Sequence, residues 1–314
     1  MRRGIQRGVA LLMAMLTVAM VAAIAATAVA EQWRRIGVEE AERHRAQTQW
    51  LLRGALDWSR LLLRQDALGS AEVDDLGEPW AVPLQDTRLS TFLTAQAGVA
   101  DGAASADMTN AYLSGQLQDA QAKLNLMNMV FDPEALHAKH VERLLERLGV
   151  GAEESARLRT GLQRAYQSQA TGDSPLLPQS LQDLSWLGVS PRTIATLDAY
   201  AVLLPSSSLV NINTASAAVI WAVSEGMGWS EANALVARRA QKSFRSVQEA
   251  NAWLGKSWLS ERFCMTRSSF FMAQGRVRMG EVALGMHAQL QRQGSNVAAV
   301  AVQSSGMVLP LPTP

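Results

Sequence analysis

The stretch GVALLMAMLTVAMVAAIAATAVA, residues 8–30, is the longest apolar run in this chain of 314 residues. From Val9 to Ala30 it holds 22 residues without a charge. At about 1.5 Å per residue a helix of that length spans about 33 Å, the thickness of the hydrocarbon core of a bilayer. Three arginines lie within the first seven residues, so the positive-inside rule predicts a cytoplasmic N-terminus with the rest of the chain across the membrane.

The alternative to a retained anchor is a cleavable secretory signal. The residues AVA at 28–30, followed by Glu31, fit the small-x-small pattern of cleavage sites, but the run exceeds the usual apolar region of about 7 to 15 residues. Between Glu31 and Arg64 there is no proline, and apolar residues recur near helical spacing. We therefore predict that the run is retained and continues into one long amphipathic helix, 9–64.

The overall composition narrows the function classes. The net charge of +1 gives no whole-chain field that attracts nucleic acid, and the single cysteine, Cys264, excludes an intramolecular disulfide. The sequence contains no P-loop, no Gly-x-Ser-x-Gly motif and no zinc-spaced set of Cys and His, and we predict that the protein is not an enzyme. His137 and His140 are three residues apart beside basic residues, which favours a solvated helix face over a metal site.

Strands are predicted on both sides of a helical region. The stretch DLGEPWAVPL, 75–84, has two prolines and leads into a sheet, and residues 112–130 are predicted to form a short pair of strands. From about Phe131 the periodicity is helical as far as about residue 260. Apolar residues then alternate at the period of a half-buried strand. These residues are Val282, Leu284, Met286, Ala288 and Leu290.

Two helix-hairpin-helix units are predicted within the helical region. In VNINTASAAVIWAVSEGMGWSEANALVARR, 210–239, Gly226 and Gly228 are predicted to form the turn between a helix at 215–223 and a helix at 230–239. Asn213 or Thr214 is predicted to cap the first of these helices. Residues 181–205 show a similar order of helix, glycine turn and helix.

Such a hairpin is compatible with DNA binding, because the amides of a glycine turn can cradle a phosphate. The nearby cations are Arg238, Arg239, Lys242 and Arg245. A membrane-anchored chain with the stretch NINTAS, residues 211–216, also resembles competence-type DNA receptors. However, Glu225 lies beside the turn and the turn itself has no cation, so we predict that the hairpin is scaffold and that nucleic acid is not a partner.

The start of the apolar run resembles the processing site of pilins. RG followed by VALLMAML is similar to the prepilin peptidase site of type IV pilins and type II secretion pseudopilins, where a basic leader is cut after a glycine. The resemblance implies cleavage by prepilin peptidase between Gly8 and Val9 and N-methylation of the new N-terminus. Most such proteins carry glutamate at the fifth mature position, which here is Met13. That absence is typical of the K-type minor pseudopilin at the filament tip; an ordinary lipid-facing methionine is the alternative.

Further stretches resemble the K-type minor pseudopilins of type II secretion. That family has a similar Trp–Pro segment and a similar D-x-x-G-x-x-N-L-N-N stretch, matched here at Asp119, Asn125, Leu126 and Asn128, with Ala122 and Met127 as departures. Some relatives hold Ca²⁺ in the globular part. The acidic residues Asp74, Asp75 and Glu78 offer carboxylate oxygens, but so dilute a cluster predicts a solvated turn, and we assign no calcium ligand.

The resemblance implies an α+β fold in which a pilin-like long N-terminal helix packs on a small antiparallel sheet with a large inserted all-helical domain of SAM-like units. The expected division is a basic leader (1–8), a transmembrane half-helix (9–30), the pseudopilin helix and first strands (31–130), the helical insert (131–260), closing strands (261–294) and a flexible tail (295–314). The implied function is a minor pseudopilin at the tip of the periplasmic pseudopilus, which initiates or caps its assembly with the I- and J-type minor pseudopilins. The implied location is the inner membrane, crossed once. A membrane-anchored hairpin DNA-binding protein of competence type is the alternative.

Overall fold

The computed structural model describes residues 3–69, 72–97, 111–131, 136–167, 176–279 and 282–308. Its first element is helix α1, Arg3–Leu68, which is 66 residues long. The side chains of residues 9–30 are all exposed, and the most apolar part of the helix has a mean hydropathy of 2.6 with none of its residues buried. Within the described chain, α1 is the helix that is long and apolar enough to cross a membrane. The predicted continuity of the apolar run with the amphipathic helix is confirmed.

The chain enters the sheet after α1 through a 3₁₀ turn at Pro79–Ala81. Strand β1 (Leu84–Arg88), helix α2 (Leu89–Ala97) and strand β2 (Ala111–Asp119) follow.

The prediction of a strand pair across 112–130 is wrong in part. After β2 the chain makes a 3₁₀ turn at Ala120–Ala122, and the two-residue strand β3 (Leu124–Asn125) pairs with a strand of the insert. The Asp119 carboxylate accepts a hydrogen bond from the backbone N–H of Gln121, which stabilises this turn and takes the chain out of the sheet.

The helical insert occupies the middle of the chain. Its helices are α3 (Asn128–Phe131), α4 (Leu136–Arg147), α5 (Ala152–Gln167), α6 (Pro191–Leu197), α7 (Ala217–Val223), α8 (Trp229–Arg239) and α9 (Val247–Leu254), with a 3₁₀ helix at Leu181–Leu187. The short strands β4 (Ala201–Val202), β5 (Val210–Asn211) and β6 (Cys264–Met265) complete it, with β3 parallel to β4 and β5 parallel to β6. One hydrophobic cluster, which extends from Leu124 to Cys264 along the chain, forms its core.

Three long strands close the sheet after the insert. They are β7 (Phe270–Met279), β8 (Val282–Gln293) and β9 (Asn296–Val308), and the order across the antiparallel sheet is β1-β2-β7-β8-β9. The predicted alternation along β8 is confirmed, because Leu284, Met286, Ala288 and Leu290 are all buried.

The prediction of a flexible tail at 295–314 is wrong for residues 296–308. These residues form β9 and pair with β8 along its full length. Gly294, at φ +59°, allows the tight turn between the two strands, and the valine-rich sequence of β9 suits a pleated strand. Residues 309–314 lie outside the described part of the chain.

The second half of α1 lies across β7, β8 and β9. Gly275 on β7 lies against Leu52 of α1, where a Cβ atom would make van der Waals contact with the leucine side chain at 3.6 Å. Further along, Leu63 is fully buried in a cluster that includes Trp80 and Phe271, whose rings meet edge to face at 5.2 Å. Burial of these large apolar side chains, at about 1.5–3 kcal/mol each, is what holds the helix on the sheet.

Candidate functional site

The predicted processing site lies in the N-terminal part of α1. Gly8 and Val9 fall within the continuous helix, and Val9 and Met13 are 54% and 60% exposed. A methionine at position 13 keeps this surface uncharged, whereas a lone carboxylate in a membrane costs about 2.5–3.5 kcal/mol. Cleavage after Gly8 and a tip role for Met13 stay predictions.

The hairpin of the NINTAS segment is confirmed as a helix, glycine turn and helix, formed by α7 and α8. The predicted cap is wrong, because the hydroxyl of Ser216 accepts from the backbone N–H of Val219 and the helix begins two residues later than predicted. Gly226 has φ +85°, where glycine is favoured, and a Cβ atom there would lie 3.8 Å from Trp258. The backbone N–H of Glu225 donates to the carbonyl of Trp258 at 2.9 Å, so the turn is packed onto the insert.

The two arginines at the end of α8 are bound to carbonyls of the insert. Arg239 donates from Nη1 to the carbonyl of Ile212 at 2.5 Å, and burial lowers the pKa of Arg239 to about 10. Arg238 donates to the carbonyl of Lys242 at 3.0 Å. These arginines therefore stabilise the hairpin. The carboxylates of Glu225, just before the glycine turn, and Glu231, in the first turn of α8, oppose the binding of a phosphate at the turn.

A buried polar junction, formed by Asp119, Asn211, Thr214 and Ser268, joins the sheet to the insert. Asp119 at the end of β2 accepts at Oδ2 from the side chains of Asn211 (2.9 Å), Thr214 (2.5 Å) and Ser268 (2.7 Å). Burial of the carboxyl raises its pKa to about 6, against the lowering effect of these hydrogen bonds. Asn211 and Thr214 belong to NINTAS, so this motif connects the insert to the sheet.

Arg292 of β8 lies beside the polar junction and is itself 4% exposed. Its guanidinium donates to Asp66 of α1 at 2.6 Å, to both carboxylate oxygens of Asp74 at 2.5 and 2.6 Å, and to the carbonyl of Ser268 at 2.7 Å. The predicted solvated turn is therefore wrong at Asp74, which is 1% exposed. The reason is an ion pair with a residue 218 positions further along the chain, which no local pattern reveals.

Oxygens of Asp66, Asp74 and Glu78 lie within 4.8 Å of one another, which is the spacing of a cation site. Burial raises the pKa of Glu78 to about 7, with Asp66 and Asp74 adding to the effect, and burial also raises the pKa of Asp66. Yet Arg292 already supplies positive charge to the two aspartates, and Glu78 accepts from the indole N–H of Trp80 at 2.5 Å. This donor set fits an arginine–carboxylate cluster, and no calcium ligand is assigned to it.

Two asparagines of the D-x-x-G-x-x-N-L-N-N-like stretch hold the loop at residues 204–208 of the insert. The side-chain amide of Asn125 donates to the carbonyl of Ser206 at 2.9 Å, and its oxygen accepts from the backbone N–H of Leu204 at 3.1 Å. Asn128 bonds both the backbone N–H and the carbonyl of Ser208. In the same way Asn213 of NINTAS bonds both backbone groups of Phe244, 31 residues away. These asparagines hold loops that would otherwise leave buried backbone groups without partners.

The histidine pair lies on a packed face, so the predicted solvated face is wrong for both residues. The rings of His137 and His140 lie edge-on to Phe263, with ring centroids 5.1 and 4.4 Å away. Both histidines lie on the face of α4 that packs on the core of the insert, where Val141 and Leu144 are also buried.

Three comparisons with known proteins agree with this architecture. The model of the family "Type II secretion system (T2SS), protein K" matches residues 210–260, which contain NINTAS and the hairpin. The "Type II secretion system protein K" of Klebsiella pneumoniae is 29% identical over 346 residues, which cover 94% of this chain and 95% of that protein. A chain of the crystal structure of the GspK-GspI-GspJ complex from the enterotoxigenic Escherichia coli type 2 secretion system is similar with a TM-score of 0.66 and 17% identity, over 85% of this chain and 98% of that chain.

A long helix that is exposed and apolar in its first half and packed on an antiparallel sheet in its second half gives the protein a pilin-like architecture, and the exposed half is compatible with a transmembrane anchor. Within the pilin-like proteins, the relative matched along almost its whole length and the family model both indicate the protein K of type II secretion systems. The chain is thus similar, along almost its whole length, to the protein K minor pseudopilins of type II secretion systems. That family is one of secretion pseudopilins and is not known for enzymatic activity.

Proposed function

We propose that this protein is a minor pseudopilin of the type II secretion system and forms the tip of a periplasmic pseudopilus, where it initiates or caps assembly with the I- and J-type minor pseudopilins. The observation that carries the proposal is the continuity of α1, whose first half is fully exposed along residues 9–30 while its second half is fixed to the sheet. An exposed apolar helix needs a covering, which is lipid before assembly and neighbouring helices afterwards. The similar GspK chain occurs in a complex with GspI and GspJ, which supports the same partners here.

The proposed topology is a single pass through the inner membrane. The arginines before residue 8 stay in the cytoplasm, prepilin peptidase cuts between Gly8 and Val9, and residues from about 31 onward lie in the periplasm. The absence of a glutamate at Met13 supports the tip position, because a subunit with no subunit ahead of it has no α-amine with which to pair a carboxylate. We propose a leader at 1–8 and a membrane half-helix at 9–30, and we widen the predicted insert from 131–260 to about 120–268, between the end of β2 and the start of β7, with β9 added to the closing strands.

The role proposed for the globular part is structural. Asn211 and Thr214 of NINTAS are occupied in joining the insert to the sheet, and Asn125 and Asn128 of the other stretch are occupied in holding a loop within the insert. The competence-type DNA receptor is not favoured, and we propose neither enzymatic activity nor nucleic-acid binding.

The N-terminal residue of the mature protein tests this proposal. Intact-mass analysis of membrane fractions should find a chain that begins at Val9 when prepilin peptidase is present. Gly8→Val should keep the leader, whereas the matched control Gly4→Val, which changes a glycine inside the leader, should still be cut. In the same strains, the processed protein should co-purify with the I- and J-type subunits. A soluble product that begins at Glu31 would contradict the proposal.

A further inference from the structure

The two edges of the five-stranded sheet are built differently. The edge strand β1 has five residues, carries Asp86 and Arg88, and runs directly into α2. Arg278 of β7 approaches Asp86 at 3.3 Å, which adds a third charged side chain beside this edge. Short length, charges and a covering helix are the devices by which proteins prevent another strand from adding to a sheet.

The opposite edge strand, β9, is long and, past its first residues, is not covered by a helix in the described part of the chain. Its 13 residues, NVAAVAVQSSGMV, include no charged residue and no proline. Valine and alanine dominate its first half, and Val300 and Val302 are 41% and 50% exposed. A long, neutral edge strand with high β-propensity is a template for pairing with another extended chain.

The start of β9 is covered and the remainder is open within the described chain. Arg60 of α1 donates from Nε to the carbonyl of Val297 at 2.9 Å, which occupies the outer edge at that point. The register with β8 shifts between Gln289 and Leu290, which leaves Val300 as a bulge residue between Ala299 and Ala301, beyond the covered start. Among the residues that the structure describes, the sheet ends at β9, so half of its backbone groups from 298 onward point away from β8.

We propose that residues 298–304 of β9 receive an uncharged extended strand from another minor pseudopilin, which adds to the sheet as a sixth strand. This inference rests on the proposed function. The row of backbone donors and acceptors fits another extended backbone, and β9 has no charged side chain to pair with an acidic or basic segment. The side chains of Val300 and Val302 would be covered by the incoming strand, which removes their apolar surface from water.

Hydrogen exchange tests the strand addition without any substitution. Amide exchange is followed by mass spectrometry on the full-length protein in detergent, alone and in complex with co-expressed I- and J-type subunits. We expect exchange at residues 298–304 to slow at least tenfold in the complex. Exchange along β1 at residues 84–88 should not change. Unchanged exchange at 298–304 in a complex that does form would overturn the inference.

Charged substitutions provide a second, independent test. Val302→Lys places a charge on β9 where the partner strand would lie, and Gln85→Lys places the same charge on the exposed part of β1. We expect Val302→Lys to lower the recovery of the partner subunits at least fivefold and Gln85→Lys to leave it unchanged, with equal thermal midpoints for the two variants alone. Equal recovery from both variants would contradict the inference, as would protection of 298–304 in the isolated protein through pairing of two copies. Failure of the native protein to bind the I- and J-type subunits would instead contradict the proposed function.

Discussion

Removal of the Arg292 side chain provides the sharpest test of the cluster that joins α1 to the sheet. Arg292→Met keeps the length and the apolar stem of the side chain but removes the guanidinium from Asp66 and Asp74. The side chain of Asp74 is 2% exposed, so the variant leaves a carboxylate without its counter-charge and out of reach of water. Loss of one partner from a buried ion pair costs about 3–5 kcal/mol. Since each kcal/mol corresponds to about 2–4 °C in a domain of 150–250 residues, we expect the melting temperature to fall by about 6–20 °C.

The assay is thermal unfolding of the full-length protein in detergent, followed by circular dichroism at pH 7. Arg276→Met serves as the matched control, because Arg276 lies on the neighbouring strand with an exposed side chain and should change the melting temperature little. The double variant Arg292→Met with Asp74→Asn removes the orphaned charge and should recover part of the loss. A change of less than 1 kcal/mol in Arg292→Met, or a further loss in the double variant, would refute the assignment of Arg292 as the counter-charge.

Three other predictions follow from the site. The pKa of Asp119 is raised in the folded state to about 6, so its contribution to stability is complete below its unfolded pKa near 3.8 and is lost as the pH rises through 6. In denaturant titrations, the stability of the native protein relative to Asp119→Asn should therefore fall by about 3 kcal/mol between pH 4 and pH 7. A constant difference would contradict the burial of an ionisable group there. The full-length protein should show no salt-dependent affinity for duplex DNA, and micromolar binding that disappears when Arg238 and Arg239 are both changed to Ala would restore the competence-type interpretation. Met13→Glu should be neutral or mildly harmful in complementation of secretion, and a clear gain in secretion would remove the physical basis for the tip position.

The sequence predicts those parts of the fold that depend on short-range periodicity. The 22-residue uncharged run and the absence of proline as far as Arg64 predict α1, and the alternation from Leu284 to Leu290 predicts β8. The hairpin is predicted from two glycines between apolar helices. Each of these features is visible in the local periodicity of one continuous segment, so no tertiary information is needed.

The sequence does not predict the residues whose roles depend on distant partners. Asn213 and Thr214 are plausible helix caps by local chemistry, but Asn213 bonds Phe244 and Thr214 bonds Asp119, so Ser216 takes the cap. Asp74 has the sequence context of a solvated turn and is buried only because Arg292 meets it. Local rules fail at these positions because the competing hydrogen-bond partner lies tens to hundreds of residues away.

The same distant partners explain how a large insert is held on a small sheet. Asp119 at the end of β2 and Ser268 before β7 mark the two places where the chain leaves and re-enters the sheet. Their side chains meet each other at 2.7 Å and both meet Asn211 of the insert. Arg292 then links the carbonyl of Ser268 to Asp66 near the end of α1. A chain of buried hydrogen bonds thus runs from the insert through the sheet to α1, so a force on the insert acts on α1 through fixed contacts, as the proposed attachment to a filament by that helix requires.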